Sequence, residues 1–326
     1  MYDGSFSAAS MFNAGQYFEA LVNDSDRMVL AQTAFLLCTV VVVTAGVRRG
    51  IGLLSWLLVP TLLAGLVLLV QYSLANGNAS AAGKFLFSIQ WLDFNREALL
   101  MALGQAFLTL GIGVGTGISY GSYAPVRVPI GRSVLAVALF DTLVAIAMGL
   151  AIFPLVFASH LLPSMGPGLM FVSMPYAFGN MVNGEAFGAL FFSLVALVAL
   201  GSAIAILEPV TGAIKQRFGL RRGTSALVVG AAVWALAYGS AVTLAPSSHG
   251  AAPDLLRWID RLAGGVLLPL VALGTALLVG WRLGRPLLRA QLYRESPLFF
   301  SLWYFLLRYI APLGIALVMA AALLTT

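Results

Sequence analysis

The sequence predicts an all-α protein, a polytopic bundle of about eight transmembrane helices. Composition supplies two of the observations behind this prediction. Of the 326 residues, 60% are hydrophobic and only 9% are charged, and the mean hydropathy is +0.96. Soluble domains carry about a quarter charged residues, so most of this chain is predicted to lie in lipid. The third observation is the length of the apolar runs, which matches the roughly 20 residues that a helix needs to cross a bilayer.

Eight apolar runs have the length of a membrane span. They cover residues 28 to 47, 52 to 74, 98 to 122, 133 to 158, 186 to 213, 224 to 245, 262 to 281 and 298 to 324. A closed β-barrel, the other architecture that crosses membranes, would show short alternating segments of about ten residues. These runs are long and continuously apolar, which favours helices. They form one transmembrane domain at 28 to 326, preceded by an external segment at 1 to 27.

Lysine and arginine cluster in alternate connecting segments, and the positive-inside rule assigns the clusters to the cytoplasmic side of the inner membrane. Because they are topology signals, the net charge of +6 does not indicate a nucleic-acid partner. Both termini then face outward. Residues 1 to 27 are polar and acidic and lack an export signal, which predicts that an earlier membrane span precedes them. The alternative is that a short acidic tail crosses the membrane unaided.

Glycines at alternate positions mark the third run, in the middle of the membrane: Gly111, Gly113, Gly115 and Gly117. Each glycine costs about 1 kcal/mol relative to alanine inside a helix. Four of them predict an unwound stretch, which is tolerated at this depth only where backbone lines a cavity or is buried in protein. The pattern therefore favours a broken helix with a binding site. The alternative is close helix packing, since the glycines also satisfy the small-xxx-small spacing.

Two carboxylates lie within predicted spans, Asp141 in the fourth and Glu208 in the fifth. A charge at the bilayer centre costs roughly 2.5 to 3.5 kcal/mol, so each is a candidate functional residue. For Glu208 we favour a structural hydrogen bond to a neighbouring helix. For Asp141 we favour a cation ligand, because hard cations take oxygen ligands and Thr109 and Ser202 offer hydroxyls in two other spans. The spans contain no paired carboxylates and no Ser-His-Asp or Cys-His set, which argues against an enzyme.

The connecting segment after the fourth run, residues 159 to 185, is rich in residues that terminate helices. They are Pro163, Gly166, Pro167, Gly168 and Pro175. Such residues are expected to interrupt any regular helix. The segment is then either a structured cap over an entrance or an ordinary loop.

Four segments resemble the neurotransmitter:sodium symporter family in its bacterial form. In chain order they are GQAFLTLGIGVGTGISYGSY, DTLVAIAMGLAIFP, GPGLMFVSMPYAF and LGSAIAILEPV. The resemblance implies a sodium-coupled symporter of an amino acid or a similar small amine-containing solute. It also implies a partial inverted-repeat fold with a broken helix at the midplane site. The eight runs correspond to the family's fourth to eleventh helices, so the first three are expected to be absent.

The resemblance also implies the residues of the site. Substrate contacts fall on two runs, at Leu108, Thr109, Gly111, Val114, Ser202 and Ile206. Two sodium sites are implied, the first at Thr109 and Asp141 and the second at Val198, Gly201 and Ser202. Gating positions fall at Gln105, Tyr123 and Asp260. Sodium ions are the implied cofactor, while chloride dependence stays open.

Departures from the family pattern support a second hypothesis. Gly201 stands where relatives usually have threonine, which removes one hydroxyl from the second sodium site. Gln216 occupies the position of a gating aspartate. The alternative to a symporter is therefore a truncated, non-transporting membrane protein or a partner subunit. Leu108 and Val114 replace aromatic residues of some relatives, which predicts a roomier pocket.

Overall fold

The computed structural model describes residues 11 to 89, 94 to 125, 128 to 163, 166 to 244 and 255 to 324. These ranges contain helices and no strands. The α-helices, in chain order, are α1 (Met11–Asn23), α2 (Ser25–Thr44), α3 (Leu53–Asn76), α4 (Ala79–Phe87), α5 (Arg96–Thr109), α6 (Thr116–Tyr123), α7 (Ile130–Ala158), α8 (Met174–Gly179), α9 (Gly184–Phe218), α10 (Arg222–Leu244), α11 (Leu255–Asp260), α12 (Leu268–Leu277), α13 (Arg285–Gln291), α14 (Pro297–Phe305) and α15 (Ala311–Leu324). Short π-helical segments join several of them, at Val47–Gly52, Leu169–Ser173, Arg261–Leu267, Leu278–Arg282 and Leu306–Ile310.

In the described ranges, seven helices are long and apolar enough to cross a membrane. They are Ser25–Thr44, Val47–Asn76, Ile130–Ala158, Gly184–Phe218, Arg222–Val242, Trp258–Arg282 and Pro297–Ala320. These helices confirm the all-α polytopic bundle and correspond to seven of the eight predicted runs. The remaining run, 98 to 122, is helical at both ends and interrupted in the middle. Neither half reaches the length of a span, which reconciles the two counts.

Several segments predicted as loops are helical. α1 lies in the predicted external segment at 1 to 27, and α8 follows the fourth run. The prediction that Pro175 would interrupt a helix was wrong. The π-helical segment Leu169–Ser173 passes directly into α8, and Pro175 lies in the first turn of α8. Pro175 thus lies inside a continuous helical run, where the adjacent π-helical turn can accommodate the missing N–H.

The chain forms two compact units, and the first comprises Met1–Ile89 and Val144–Leu255. Its core lies where α3, the later half of α7, α8 and α9 pack together, around the buried side chains Leu69, Leu155, Phe178 and Phe191. Gly65 allows α3 and α9 to approach closely, because a Cβ at this position would lie 2.7 Å from the methyl groups of Leu194. Both helices are apolar around much of their circumference, as expected of helices that cross lipid.

Tyr72 ties α3 to the segment that precedes α9. Its hydroxyl donates to the carbonyl oxygen of Val182 at 2.8 Å, and its ring stacks on Phe187 with centroids 3.8 Å apart. We expect Tyr72→Phe to lower the free energy of unfolding by about 1 kcal/mol, because it removes the hydrogen bond and keeps the ring. Thermal unfolding in detergent measures this. Tyr309→Phe, on a ring that is 50% exposed, is the control, and an equal loss in both variants would contradict the assignment.

The second unit comprises Gln90–Leu143 and Leu256–Thr326. Its core contains Ala272, Ala276 and Ile315 where α12 packs on α15. Arg308 lies within the last span, 4.8 Å from the centre of the Trp281 ring, and its backbone carbonyl accepts a hydrogen bond from the Trp281 indole. Aromatic rings offset part of the cost of a guanidinium at this depth.

Candidate functional site

The helix of the third run is broken at the glycine-rich stretch. α5 ends at Thr109 and α6 begins at Thr116, and the residues between them form turns. Gly111, Gly113 and Gly115 have φ of +62°, +91° and +84°. Side chains with a Cβ rarely adopt this left-handed region, so glycine is required by the backbone itself. The prediction of an unwound stretch is confirmed.

Gly113 also makes a close backbone contact inside the second unit. A Cβ at this position would lie 2.3 Å from the carbonyl oxygen of Leu268, at the start of α12. At Gly115 and Gly117, by contrast, the described atoms leave the Cβ position open to 4 Å. Gly113 lies in the break and not in a helix, so the pair Gly113 and Gly117 does not form a helix-packing motif. The glycines make the break, and one of them fits against a neighbouring backbone.

Local hydrogen bonds hold the ends of the break. The Thr109 hydroxyl donates to the carbonyl oxygen of Gln105 at 3.1 Å, and the Thr116 hydroxyl donates to that of Gly111 at 3.4 Å. Val114 N–H donates to the same Gly111 carbonyl at 3.3 Å. A hydroxyl that donates to a carbonyl keeps its oxygen lone pairs for a cation. The geometry of Thr109 is thus compatible with its predicted role, while the Leu108 side chain lies outside the described part of the chain.

The residues predicted on α9 share one helical face. Val198, Ser202 and Ile206 are spaced by four, which aligns their side chains along a helix. Val198 and Ile206 are 52% and 53% exposed. A Cβ at Gly201 would lie 3.8 Å from Leu58, an ordinary contact distance. Close packing therefore does not require glycine at this position. The effect of glycine here is chemical, since it provides no hydroxyl where relatives usually have threonine.

An apolar cavity of about 490 Å³ borders this face of α9 within the first unit. It is enclosed by α3, the later half of α7, α9 and the Leu169–Ser173 segment. Its lining is hydrophobic and includes Leu66, Met148, Phe191 and Val198. A cavity of this size and character is suited to apolar groups.

The other predicted site residues are divided between the two units. Thr109 and Asp141 belong to the second unit, and Asp141 lies half-buried in the first half of α7. The α9 residues belong to the first unit. The convergence of Thr109, Asp141 and Ser202 stays a prediction.

The predicted gating residues lie at or near helix ends. Gln105 is exposed on α5, and Tyr123 is the last residue of α6, where its ring meets Tyr120 edge-on with centroids 6.3 Å apart. Asp260 falls in a predicted loop, but in the structure it is the last residue of α11 and leads directly into the π-helical segment Arg261–Leu267. It is therefore carried by helical backbone.

Glu208 is fully buried and bonded to an arginine that sequence analysis did not connect with it. The guanidinium of Arg222, at the start of α10, donates to the Glu208 carboxylate, and its Nε donates to the carbonyl oxygen of Val43 in α2 at 2.8 Å. This pair confirms the structural interpretation of Glu208. Arg222 was interpreted only as a topology signal. A buried carboxylate requires a cationic partner. Applied to the sequence, this rule could have identified Arg222, at the start of the next span, as the partner of Glu208.

A membrane-embedded helical bundle with a broken helix is typical of one class of protein, the secondary transporters. The chain matches the Sodium:neurotransmitter symporter family over residues 12 to 326 and belongs to it. It is 32% identical to YhdH, an uncharacterized sodium-dependent transporter of Bacillus subtilis, over 97% of this chain and 71% of YhdH. An uncharacterized sodium-dependent transporter of Haemophilus influenzae is 23% identical, over 94% of this chain and 68% of that protein.

The structural comparison gives the same result. The crystal structure of MhsT in complex with L-phenylalanine matches with a TM-score of 0.87 and 32% identity, over 97% of this chain and 73% of MhsT. The chain is therefore a multi-pass, sodium-dependent membrane transporter of a small-molecule substrate and not an enzyme. The family resemblance and the fold it implied are confirmed.

Proposed function

We propose that this chain is a sodium-coupled symporter of an amino acid. The observation that carries the proposal is the helix break between Thr109 and Thr116, where three left-handed glycines interrupt the backbone inside a membrane span. Broken helices of this kind hold substrate and coupling ions near the midplane in secondary transporters. Support for an amino acid as substrate comes from the similarity to MhsT, whose structure contains L-phenylalanine.

The proposed site combines the break with two other helices. Thr109 and Asp141 are the ligands of the first sodium ion, and Val198, Gly201 and Ser202 surround the second. Thr109, Gly111, Val114, Ser202 and Ile206, together with Leu108, contact the substrate.

Uptake into proteoliposomes tests the proposal. Radiolabelled amino acids are offered with an inward sodium gradient, and with potassium replacing sodium as the control. Accumulation that requires the sodium gradient supports symport. Sodium-dependent binding without accumulation would instead support the alternative, a non-transporting protein or partner subunit, which the Gly201 and Gln216 departures suggest.

Asp141 provides the sharpest test of the ion site. We expect Asp141→Ala to raise the sodium concentration for half-maximal binding or uptake at least about tenfold, because it removes an oxygen ligand and a negative charge beside the ion. Asp141→Asn keeps an oxygen and is expected to have a smaller effect. A sodium titration of amino-acid binding measures both.

Thr142→Ala is the control for this titration. Thr142 is the next residue of α7, and its hydroxyl donates to the carbonyl oxygen of Ala138 at 3.0 Å. Removal of the Thr142 hydroxyl is expected to leave the sodium concentration for half-maximal binding unchanged. An unchanged sodium dependence in Asp141→Ala would show that the ligand assignment is wrong.

A further inference from the structure

A small basic cleft lies between α13 and the start of α14, in the connection between the last two spans of the second unit. Its volume is about 360 Å³, and it is lined by Arg285, Pro286, Arg289, Pro297 and Phe300. This size lies within the range of small-molecule sites. Two guanidinium groups and one aromatic ring therefore define its chemistry.

Aromatic rings and backbone carbonyls hold the two arginines in place. The Arg285 guanidinium carbon lies 5.8 Å from the centre of the Phe300 ring and 5.5 Å from that of Tyr304. The Arg289 guanidinium carbon lies 5.3 Å from the Phe300 ring, which is 4% exposed. Arg289 also donates to the carbonyl oxygen of Glu295 at 2.9 Å. Cation–π contacts orient a guanidinium without neutralising its charge.

Neither arginine takes part in an ion pair in the ranges that the structure describes. The nearby Glu295 is 7% exposed, and its carboxylate faces Arg132. The Arg132 Nε lies 3.7 Å from one carboxylate oxygen, and the Arg132 backbone N–H donates to the other at 3.2 Å. The cleft thus presents two oriented positive charges that form no ion pair with a described carboxylate. Guanidinium groups suit phosphate oxygens in particular, because their planar donors match the spacing of those oxygens.

Exposed apolar side chains lie on the helix that carries Phe300. α14 begins the span Pro297–Ala320, and its Leu298, Leu302 and Phe305 are 84%, 59% and 52% exposed. In a membrane span such side chains contact acyl chains. Leu298 and Leu302 lie on a different face of α14 from Phe300, because residues two apart in a helix differ by about 200°. The cleft is linked to lipid by its position at the beginning of this membrane span. That arrangement distinguishes a phospholipid from a soluble phosphate ester.

We propose that this cleft binds the phosphate group of an anionic phospholipid. Arg285 and Arg289 donate to the phosphate oxygens, and the acyl chains extend from the cleft beside the first turns of α14 into the membrane. Basic pockets at the ends of transmembrane helices recognise anionic headgroups in this way. The cleft shares no residue with the proposed ion and substrate sites.

Native mass spectrometry of the detergent-purified chain tests the proposal. Phosphatidylglycerol is titrated against phosphatidylethanolamine with the same acyl chains, and phosphatidylglycerol is expected to bind more tightly. We expect Arg285→Gln to weaken phosphatidylglycerol binding about tenfold, through loss of a charge-assisted hydrogen bond. Equal binding of the two lipids would overturn the proposal.

Arg294→Gln is the matched control. It removes the same charge from the same connecting segment, but its guanidinium lies over its neighbour Tyr293, 5.6 Å from the ring centre, and does not line the cleft. We expect less than about a twofold change. If both variants weaken phosphatidylglycerol binding equally, the attraction is diffuse electrostatic attraction to the whole segment, and the proposed site is overturned. Competition by soluble glycerol phosphate at the lipid's own concentration would overturn the lipid assignment in favour of a soluble ester.

A second measurement uses the unaltered chain and so does not depend on the folding of any variant. Phosphatidylglycerol with a photoactivatable group in one acyl chain is crosslinked to the protein in vesicles, and the labelled residues are identified by peptide mass spectrometry. Labelling of the first turns of α14 is expected. Labelling confined to other spans would overturn the proposal.

Discussion

Gly113→Ala is expected to destabilise the protein by about 2 to 5 kcal/mol. Two costs add. The left-handed backbone at φ +91° disfavours any residue with a Cβ by about 1 to 2 kcal/mol. The new methyl group would also lie 2.3 Å from the Leu268 carbonyl oxygen, and overpacking of this kind costs about 1 to 3 kcal/mol. Thermal unfolding in detergent, with the folded fraction followed by size-exclusion chromatography, measures the effect.

The neighbouring glycines form a graded control series. Gly115 has φ of +84° with open space around it, so Gly115→Ala is expected to lose only the conformational term, about 1 to 2 kcal/mol. Gly117 is helical and also has open space, so Gly117→Ala is expected to stabilise α6 by up to about 1 kcal/mol. Equal effects at all three positions would contradict the described geometry of the break.

Arg222→Ala is expected to cost about 3 to 5 kcal/mol, because it removes the guanidinium that pairs with the fully buried Glu208 carboxylate. The Val43 carbonyl oxygen loses its hydrogen-bond donor in the same variant. Together these losses should lower the unfolding temperature and the yield of folded protein. Both quantities are measured on the purified chain.

Two further variants separate charge pairing from general damage. Arg221→Ala removes an exposed charge one residue earlier and is expected to change stability by less than about 0.5 kcal/mol. The double variant Glu208→Leu with Arg222→Met removes both charges and should be more stable than Arg222→Ala alone. If the double variant is as damaged as the single one, the pairing argument is wrong.

Sequence analysis located the spans because lipid imposes a simple rule of length and hydropathy. The break was predictable for a similar reason, since four glycines in mid-membrane at alternate positions conflict with a continuous helix. The same reasoning did not show which glycine would contact a neighbour. Gly113 approaches Leu268, which lies 155 positions later in the chain. A contact between such distant residues is set by tertiary packing.

The predictions that missed the helices of the connecting segments and the partner of Glu208 failed for physical reasons. Helices in the connecting segments, such as α1 and α8, are short and depend on packing against the rest of the bundle, so local propensity under-predicts them. Arg222 was assigned to topology because the positive-inside rule weighs charge by position along the chain and does not consider partners. For the site, the sequence supplied candidate ligands, but their convergence depends on distances that spacing along the chain does not determine.

The buried pair of Glu208 and Arg222 also constrains how the protein is made. The two residues are separated by 14 positions, and Glu208 leaves the ribosome first. At about 5 to 20 residues per second, its cationic partner follows roughly 1 to 3 s later. If α9 entered lipid during that interval, its carboxylate would do so before Arg222 was available, and a carboxylate at the bilayer centre costs roughly 2.5 to 3.5 kcal/mol. We therefore expect α9 and α10 to enter the bilayer together as a hairpin, with Glu208 and Arg222 paired before α9 is exposed to lipid.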